Sequence, residues 1–164
     1  MISKTMAAAI NKQINREFFS AYLYLAMAND ATDKGFKGVA NWFNVQFKEE
    51  QSHALKFAHY LQDQNAKVEL LAIDQPPVVW TDATAMFKEA LSHEKQVTAW
   101  INELADLALI EKDHATQNML KWFIDEQIEE ESNVTDILWM LDMCGTSKGA
   151  LYQADKKLAK RGSE

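Results

Sequence analysis

Residues 43–57 read FNVQFKEEQSHALKF. Phe43, Glu50 and Phe57 are one heptad apart, and seven residues are nearly two turns of an α-helix, so the three side chains point the same way. An acid therefore stands in the middle of an apolar stripe, and His53, three residues further on, shares its face. The same interruption recurs in three other long helical patterns. Glu17 lies one heptad after Ile10 and one before Tyr24, and Glu94 lies between Phe87 and Ile101. Gln127 lies between Leu120 and Val134, and Glu130 between Phe123 and Ile137. Placing Glu17 and Glu94 on a solvated face would carry Ile10, Tyr24, Phe87 and Ile101 into water with them, which is costly.

The punctuation of the chain is that of a helical bundle. Only five Gly and two Pro occur, so long helices are expected. The periodicity predicts helices over about 5–32, 36–64, 82–110 and 113–143, with a short fifth over 147–159. Ser3 or Thr5, Thr81 or Asp82, Asp113, and Thr146 or Ser147 are the N-cap candidates, and Gly145 is the stop signal of the fourth helix. Asp33-Lys34-Gly35 is a tight turn. Residues 65–80 have no helical period and contain Pro76-Pro77, so they form a loop. Short connections make the first and second helices, and the third and fourth, antiparallel hairpins. The central loop of about 16 residues reaches roughly 50 Å when extended. A helix of about 28 residues is roughly 42 Å long, so the loop can travel the whole bundle and leave the second and third helices parallel. The interior polar residues fall near the middle of each helix and meet at one level whichever way the helices run. The expected architecture is all-α: one domain over 1–164, a four-helix bundle with a long crossover loop and a short fifth helix.

Composition narrows the function. The chain has 164 residues, 48% of them apolar, enough for a real core in one domain. Its apolar runs are too short to span a bilayer, and its start lacks the basic and apolar regions of a signal peptide. Cys144 is the single cysteine, which excludes an internal disulfide and a Cys-x-x-Cys metal site and fits the cytoplasm. A net charge of −7 disfavours nucleic-acid binding and suits the attraction of metal cations. The short basic tail, Lys156, Lys157, Lys160 and Arg161, reads as a solvated helix end.

Carboxylates turned into a bundle core repel one another and are expensive to desolvate, and a bound cation removes that cost. Glu50 and His53 can bind one ion together, and Glu50 can bridge to a second. With Glu17, Glu94 and Glu130 at the same depth, several carboxylates and one imidazole suit a pair of iron ions. The run Glu126-Gln127-Ile128-Glu129-Glu130-Glu131 is by itself most often a charged exterior. Gln127 and Glu130 nevertheless share the inward stripe, while Glu126 and Glu129 lie beside it. Together with Glu49, next to Glu50, they form an adjoining, looser position for a third cation. Tyr24 and Trp122 are packing residues that are also oxidisable. Met6, Met27, Met86, Met119, Met140 and Met143 read as core fillers, with no haem ligand marked among them. His59, His93 and His114 have surface or packing roles. The apolar residues of the crossover, Leu70, Leu71, Ile73, Val78, Val79 and Trp80, suggest an interface between copies.

On these residues the whole chain resembles the bacterial non-haem ferritins, above all at Glu49-Glu50-Gln51-Ser52-His53. By position, the resemblance implies one iron on Glu17, Glu50 and His53. A second would use Glu50 as a bridge with Glu94 and Glu130, with Gln127 nearby, and a third, transit-type site would use Glu49, Glu126, Glu129 and Glu130. Tyr24 and Trp122 also match family positions. Haem-containing bacterioferritins carry a second E-x-x-H where this chain has Gln127 and Glu130, and a Met where it has Gln51, so no haem is expected. Rubrerythrins add a Cys-rich iron module that is absent from this sequence. The resemblance implies iron storage and detoxification, with Fe(II) oxidised by dioxygen at an intra-subunit ferroxidase centre and Fe(III) kept as oxyhydroxide mineral. It also implies a hollow homo-oligomeric shell of about twenty-four copies. Two other functions fit the same residues. A soluble di-iron oxidase would need an apolar substrate cavity beside the irons, and a non-catalytic helical bundle would bind no metal tightly.

Overall fold

The computed structural model describes residues 2–162; Met1, Ser163 and Glu164, at the ends of the expected 1–164 domain, lie outside the described residues. Five helices follow one another: α1 (Lys4–Asp33), α2 (Lys37–Asp63), α3 (Ala83–Ile110), α4 (His114–Cys144) and α5 (Lys148–Leu158), with no strand among the described residues. Four of them start where a short polar side chain satisfies a free first-turn N–H. Ser3 accepts from Met6 N at 2.9 Å, Asp82 from Ala85 N at 2.8 Å, Asp113 from Thr116 N at 3.0 Å and Ser147 from Ala150 N at 3.2 Å. Gly145 ends α4 with φ +50°, and Gly35 turns α1 into α2 with φ +83°, both in the left-handed region that favours glycine.

Hydrogen bonds between elements fix the direction of each helix. Ser3 at the start of α1 donates to Glu111 just after α3 at 2.7 Å, and Trp80 N, just before α3, donates to Asp30 near the end of α1 at 3.0 Å. Helices α1 and α3 are therefore antiparallel. Tyr60 near the end of α2 bonds Thr116 at the start of α4 at 2.7 Å, so α2 and α4 are antiparallel as well. With α1–α2 and α3–α4 as the closely packed hairpins, α2 and α3 run parallel, and the loop between them travels the length of the bundle. It lies along α1 and is stapled there. Asn11 donates to Lys67 O at 2.9 Å and accepts from Glu69 N at 2.8 Å, and Asn15 donates to Ala72 O at 2.9 Å. Leu70, Leu71, Ile73, Val78 and Val79 stay exposed, but Trp80 does not: it is 6% exposed, and its indole N–H reaches Glu89. An aromatic ring this large is drawn into the core wherever its N–H also finds an acceptor.

The fifth helix docks beside the start of α2, which has no side-chain cap of its own at Phe36. Asp155 of α5 supplies one, accepting from Val39 N at 2.9 Å. The backbones come so close that a Cβ on Gly38 would stand 1.7 Å from Asp155 O. From there the chain runs alongside α2, and Asn41 holds the end of α5 and the backbone beyond it by donating to Leu158 O at 3.3 Å and Arg161 O at 3.0 Å.

The core is divided in two. One apolar cluster, including Met27, Phe43, Phe87 and Ile137, fills the end of the bundle at the α1–α2 turn. A second, including Ile10, Phe57, Ile101 and Leu120, fills the other end. Between them lies a layer of buried polar groups. Met6, Met27 and Met86 are fully buried core fillers, and Met119 and Met140 pack at the cluster margins. Met143 departs from that expectation at 80% exposed. It lies two residues past buried Leu141, more than half a turn around α4, and so faces outward.

Candidate metal centre

Each helix of the bundle delivers its mid-length polar residues to the layer between the two apolar clusters. Glu17 is 1% exposed, Glu94 1%, Glu50 2%, Glu130 3%, and His53 and Gln127 4% each, with Tyr24 wholly buried beside them. Ligand atoms of Glu17, Glu50 and His53 lie within 4.8 Å of one another, as do those of His53, Glu126 and Glu130. The i, i+3 spacing on α2 sets His53 Nδ1 3.4 Å from a Glu50 oxygen, while Nε2 faces Glu126 at 3.9 Å. His53 thus stands between an inner group of acids and an outer one. Glu94 is turned a different way: the Tyr24 hydroxyl donates to one of its oxygens, and Gln127 Nε2 donates to the other at 3.1 Å. It joins neither close group, although its charge acts on both Glu50 and Glu130.

Burial is the main influence on the acids and lifts Glu17, Glu50 and Glu130 well above the usual carboxylate range, and Glu94 above it. Mutual repulsion follows: Glu50 acts on Glu17, and Glu94 acts on Glu50 and Glu130. Glu17 and Glu50 stand together in the first of the close groups, where a proton shared between their oxygens would relieve the repulsion. Protons are one remedy for so much buried negative charge. A multivalent cation among the same oxygens is another, and it expels those protons as it binds. The donor set is hard carboxylate oxygen with one imidazole nitrogen and no thiolate, which fits iron.

Two supporting residues were not singled out in the sequence. Gln13 and Gln46 are both fully buried. Gln13 Nε2 donates to Glu17 at 2.7 Å; Gln46 Nε2 donates to Glu130 at 2.8 Å and to Glu50 at 3.3 Å. A signal for them exists: Gln precedes the inward Glu by four residues in both α1 and α2, so each amide shares a face with its acid. No buried polar side-chain atom among the described residues lacks a partner.

Outside His53 the layer opens into a cavity of about 410 Å³ lined by Glu49, Glu126, Glu129, Glu130, Asn133, Arg161 and Gly162. The four acids named for a looser cation position therefore share one opening, with Glu129 exposed and Glu49 and Glu126 half-buried. Arg161 is no solvated helix end. Its guanidinium stacks on Trp42 and reaches Glu49. Trp122 is 38% exposed, packs edge-on to the His53 ring and carries the Lys56 ammonium 3.3 Å above its ring centre. His93 is packed against Phe19, Tyr24 and Trp100 and bonds Ser20 at 2.7 Å; burial pushes it down to about 4.

Comparison with known proteins agrees with this geometry. A ferritin-like domain matches residues 7–144. The chain is 38% identical over 161 residues to a bacterial non-heme ferritin of Staphylococcus aureus, covering 98% of this chain and 97% of that one. A bacterial non-heme ferritin of Staphylococcus epidermidis is also 38% identical, with the same coverage. Among solved structures, an open-pore ferritin from the hyperthermophilic archaeon Archaeoglobus fulgidus superposes with a TM-score of 0.98 at 42% identity, over 99% of this chain and 100% of that one.

Proposed function

The chain belongs to the ferritin-like domain family, and from that membership and the buried acid layer we infer that it is an iron-storage protein and a ferroxidase. The observation that carries the inference is the convergence of Glu17, Glu50 and His53 within 4.8 Å, all buried, in the middle of the bundle. Iron is here the substrate. Glu17, Glu50 and His53 take one Fe(II); Glu50, Glu94 and Glu130 take a second, for which Glu94 must turn from the Tyr24 hydroxyl. The two Fe(II) together give two electrons to dioxygen, which with two protons leaves as hydrogen peroxide, and the hard oxygen ligands favour the Fe(III) produced. The chain's own part is to give up the carboxyl protons on binding, to hold Glu17 through Gln13, to keep Glu50 and Glu130 in position through Gln46 until iron binds, and to keep bulk water out. Gln127 is neutral, so it can donate to an oxygen species without adding charge. Tyr24 holds Glu94 until iron binds and is an oxidisable group beside the centre.

Glu49, Glu126, Glu129 and Glu130 form the outer cation position, on the path between the layer and solvent. Fe(III) leaves as an oxyhydroxide mineral inside a homo-oligomeric shell of about twenty-four subunits, and the exposed apolar residues of the crossover loop supply one contact between subunits. No described helix is long and apolar enough to cross a membrane. A cytosolic setting is supported by the single, unpaired Cys144.

Stopped-flow absorbance after mixing Fe(II)-free protein with Fe(II) and oxygen tests the centre. Glu50→Ala and His53→Ala each remove a ligand, and the fast oxidation phase is expected to slow by about a hundredfold or more while the helical fold survives. An unchanged fast phase in both variants would refute the assignment.

A further inference from the structure

Arg161 brings a permanent positive charge to the rim of the outer cation position, and every contact it makes holds it there. Its Nη2 donates to Glu49 at 2.5 Å. Its Nη1 donates to Gln46 Oε1 at 2.9 Å and to Trp42 O at 3.4 Å, and its guanidinium lies 4.3 Å from the Trp42 ring centre. The backbone is fixed as well, since Asn41 donates to Arg161 O. The arginine and Glu49 side chains are 20% and 23% exposed, so their attraction is only partly screened by water. A planar, always-charged fork pinned in this way is preorganised. It is also coupled to the inner centre. Gln46 turns its oxygen to Arg161 and its NH2 to Glu130 and Glu50, so the position of the guanidinium depends on where those carboxylates stand.

We propose that Arg161 is a tethered cation that holds the Glu49 side of the outer position until a divalent ion displaces it, so that the inner positions fill first and the outer one last. An ion bound inside draws Glu50 and Glu130 off the Gln46 amide. That loosens Gln46, and with it the Arg161 fork, so that Glu49 exchanges its bond to Arg161 for the ion. Arg161 is thus a positioning residue that sets loading order. The inference rests on the outer position assigned above and adds to it a residue from beyond α5.

Calorimetric titration of the assembled, chelator-treated protein with Zn(II), which does not change oxidation state, separates the inner equivalents from the outer one. Arg161→Gln keeps a hydrogen-bonding side chain but removes the charge. The outer equivalent is expected to tighten about tenfold, or about 1.4 kcal/mol, and no longer to wait for the inner ones to fill. Arg161→Lys restores the charge and is expected to return the outer affinity toward that of the parent protein. Asn41→Ala leaves the guanidinium intact but releases its backbone, and should shift the outer affinity in the same direction as Arg161→Gln by a smaller factor. Thermal melting and sizing of each variant check folding and assembly. Equal outer affinity in the parent, Arg161→Gln and Asn41→Ala proteins overturns the proposal and leaves the outer position standing. So does an Arg161→Lys protein that behaves like Arg161→Gln, because the charge would then be irrelevant. Absence of any outer equivalent from all of them overturns the outer position and the proposal together.

Discussion

Glu17, Glu50, Glu94 and Glu130 share one predicament: each folded-state carboxyl is raised above its ordinary value, chiefly by burial. A group raised on folding contributes stability that is fully present below its unfolded pKa, about 4.5, and is lost as pH climbs through the folded value. His93 acts in the opposite sense. Pushed from 6.5 to about 4, it contributes stability above 6.5 that is lost as pH falls toward 4. The carboxyls oppose His93 between about pH 4 and 6.5, and the melting temperature of the chelator-treated protein should fall as pH climbs through the raised carboxyl values. Glu50→Gln and Glu130→Gln should flatten that slope, and excess Zn(II) should reverse it; a profile that is flat in the parent protein contradicts the account. The acids themselves were legible in the sequence, because a charged residue seven positions from large apolar neighbours on both sides has nowhere to go but inward. Gln13 and Gln46 were legible too, one turn before their acids, but an uncharged amide does not announce burial. Arg161 was not: its partners Trp42, Gln46 and Glu49 lie more than a hundred residues away, and nothing local distinguishes it from Lys156, Lys157 and Lys160.

The helices were readable from period and caps, since Ser3, Asp82, Asp113 and Ser147 each act within three residues of themselves. The docking of α5 was hidden, because Asp155 caps α2 through Val39 N, 116 residues earlier in the sequence. Gly38 is the matching feature on α2. On helix propensity alone, Gly38→Ala would stabilise by about 1 kcal/mol. The collision of its Cβ with Asp155 O predicts the reverse, a loss of about 1–3 kcal/mol as α5 is pushed away. Thermal melting gives the sign, and limited proteolysis should show faster cleavage within α5. A rise in melting temperature with α5 still protected would mean that the contact yields freely. The fate of Trp80 was missed for a related reason. The crossover loop has no period, so only its three-dimensional partners, Asp30 and Glu89, reveal that this residue turns inward while Val78 and Val79 stay out.

At the scale of the molecule, two apolar clusters hold a layer of acids between them, and the layer communicates with solvent through an opening lined by more acids. That arrangement suits the attraction of cations, which on the proposed reading replace protons in the layer. A single subunit offers ligands for only a few irons, so storage requires an enclosed volume built from many copies. Ligand binding and storage are therefore separable, and one measurement addresses both. The chelator-treated protein is loaded aerobically with a large excess of Fe(II), purified by size, and its mass and iron content are determined together. The expected result is a shell of about twenty-four chains holding far more iron per chain than the acid layer and its opening could ligate. A monomer or small oligomer that keeps no more iron than those side chains can bind would contradict it.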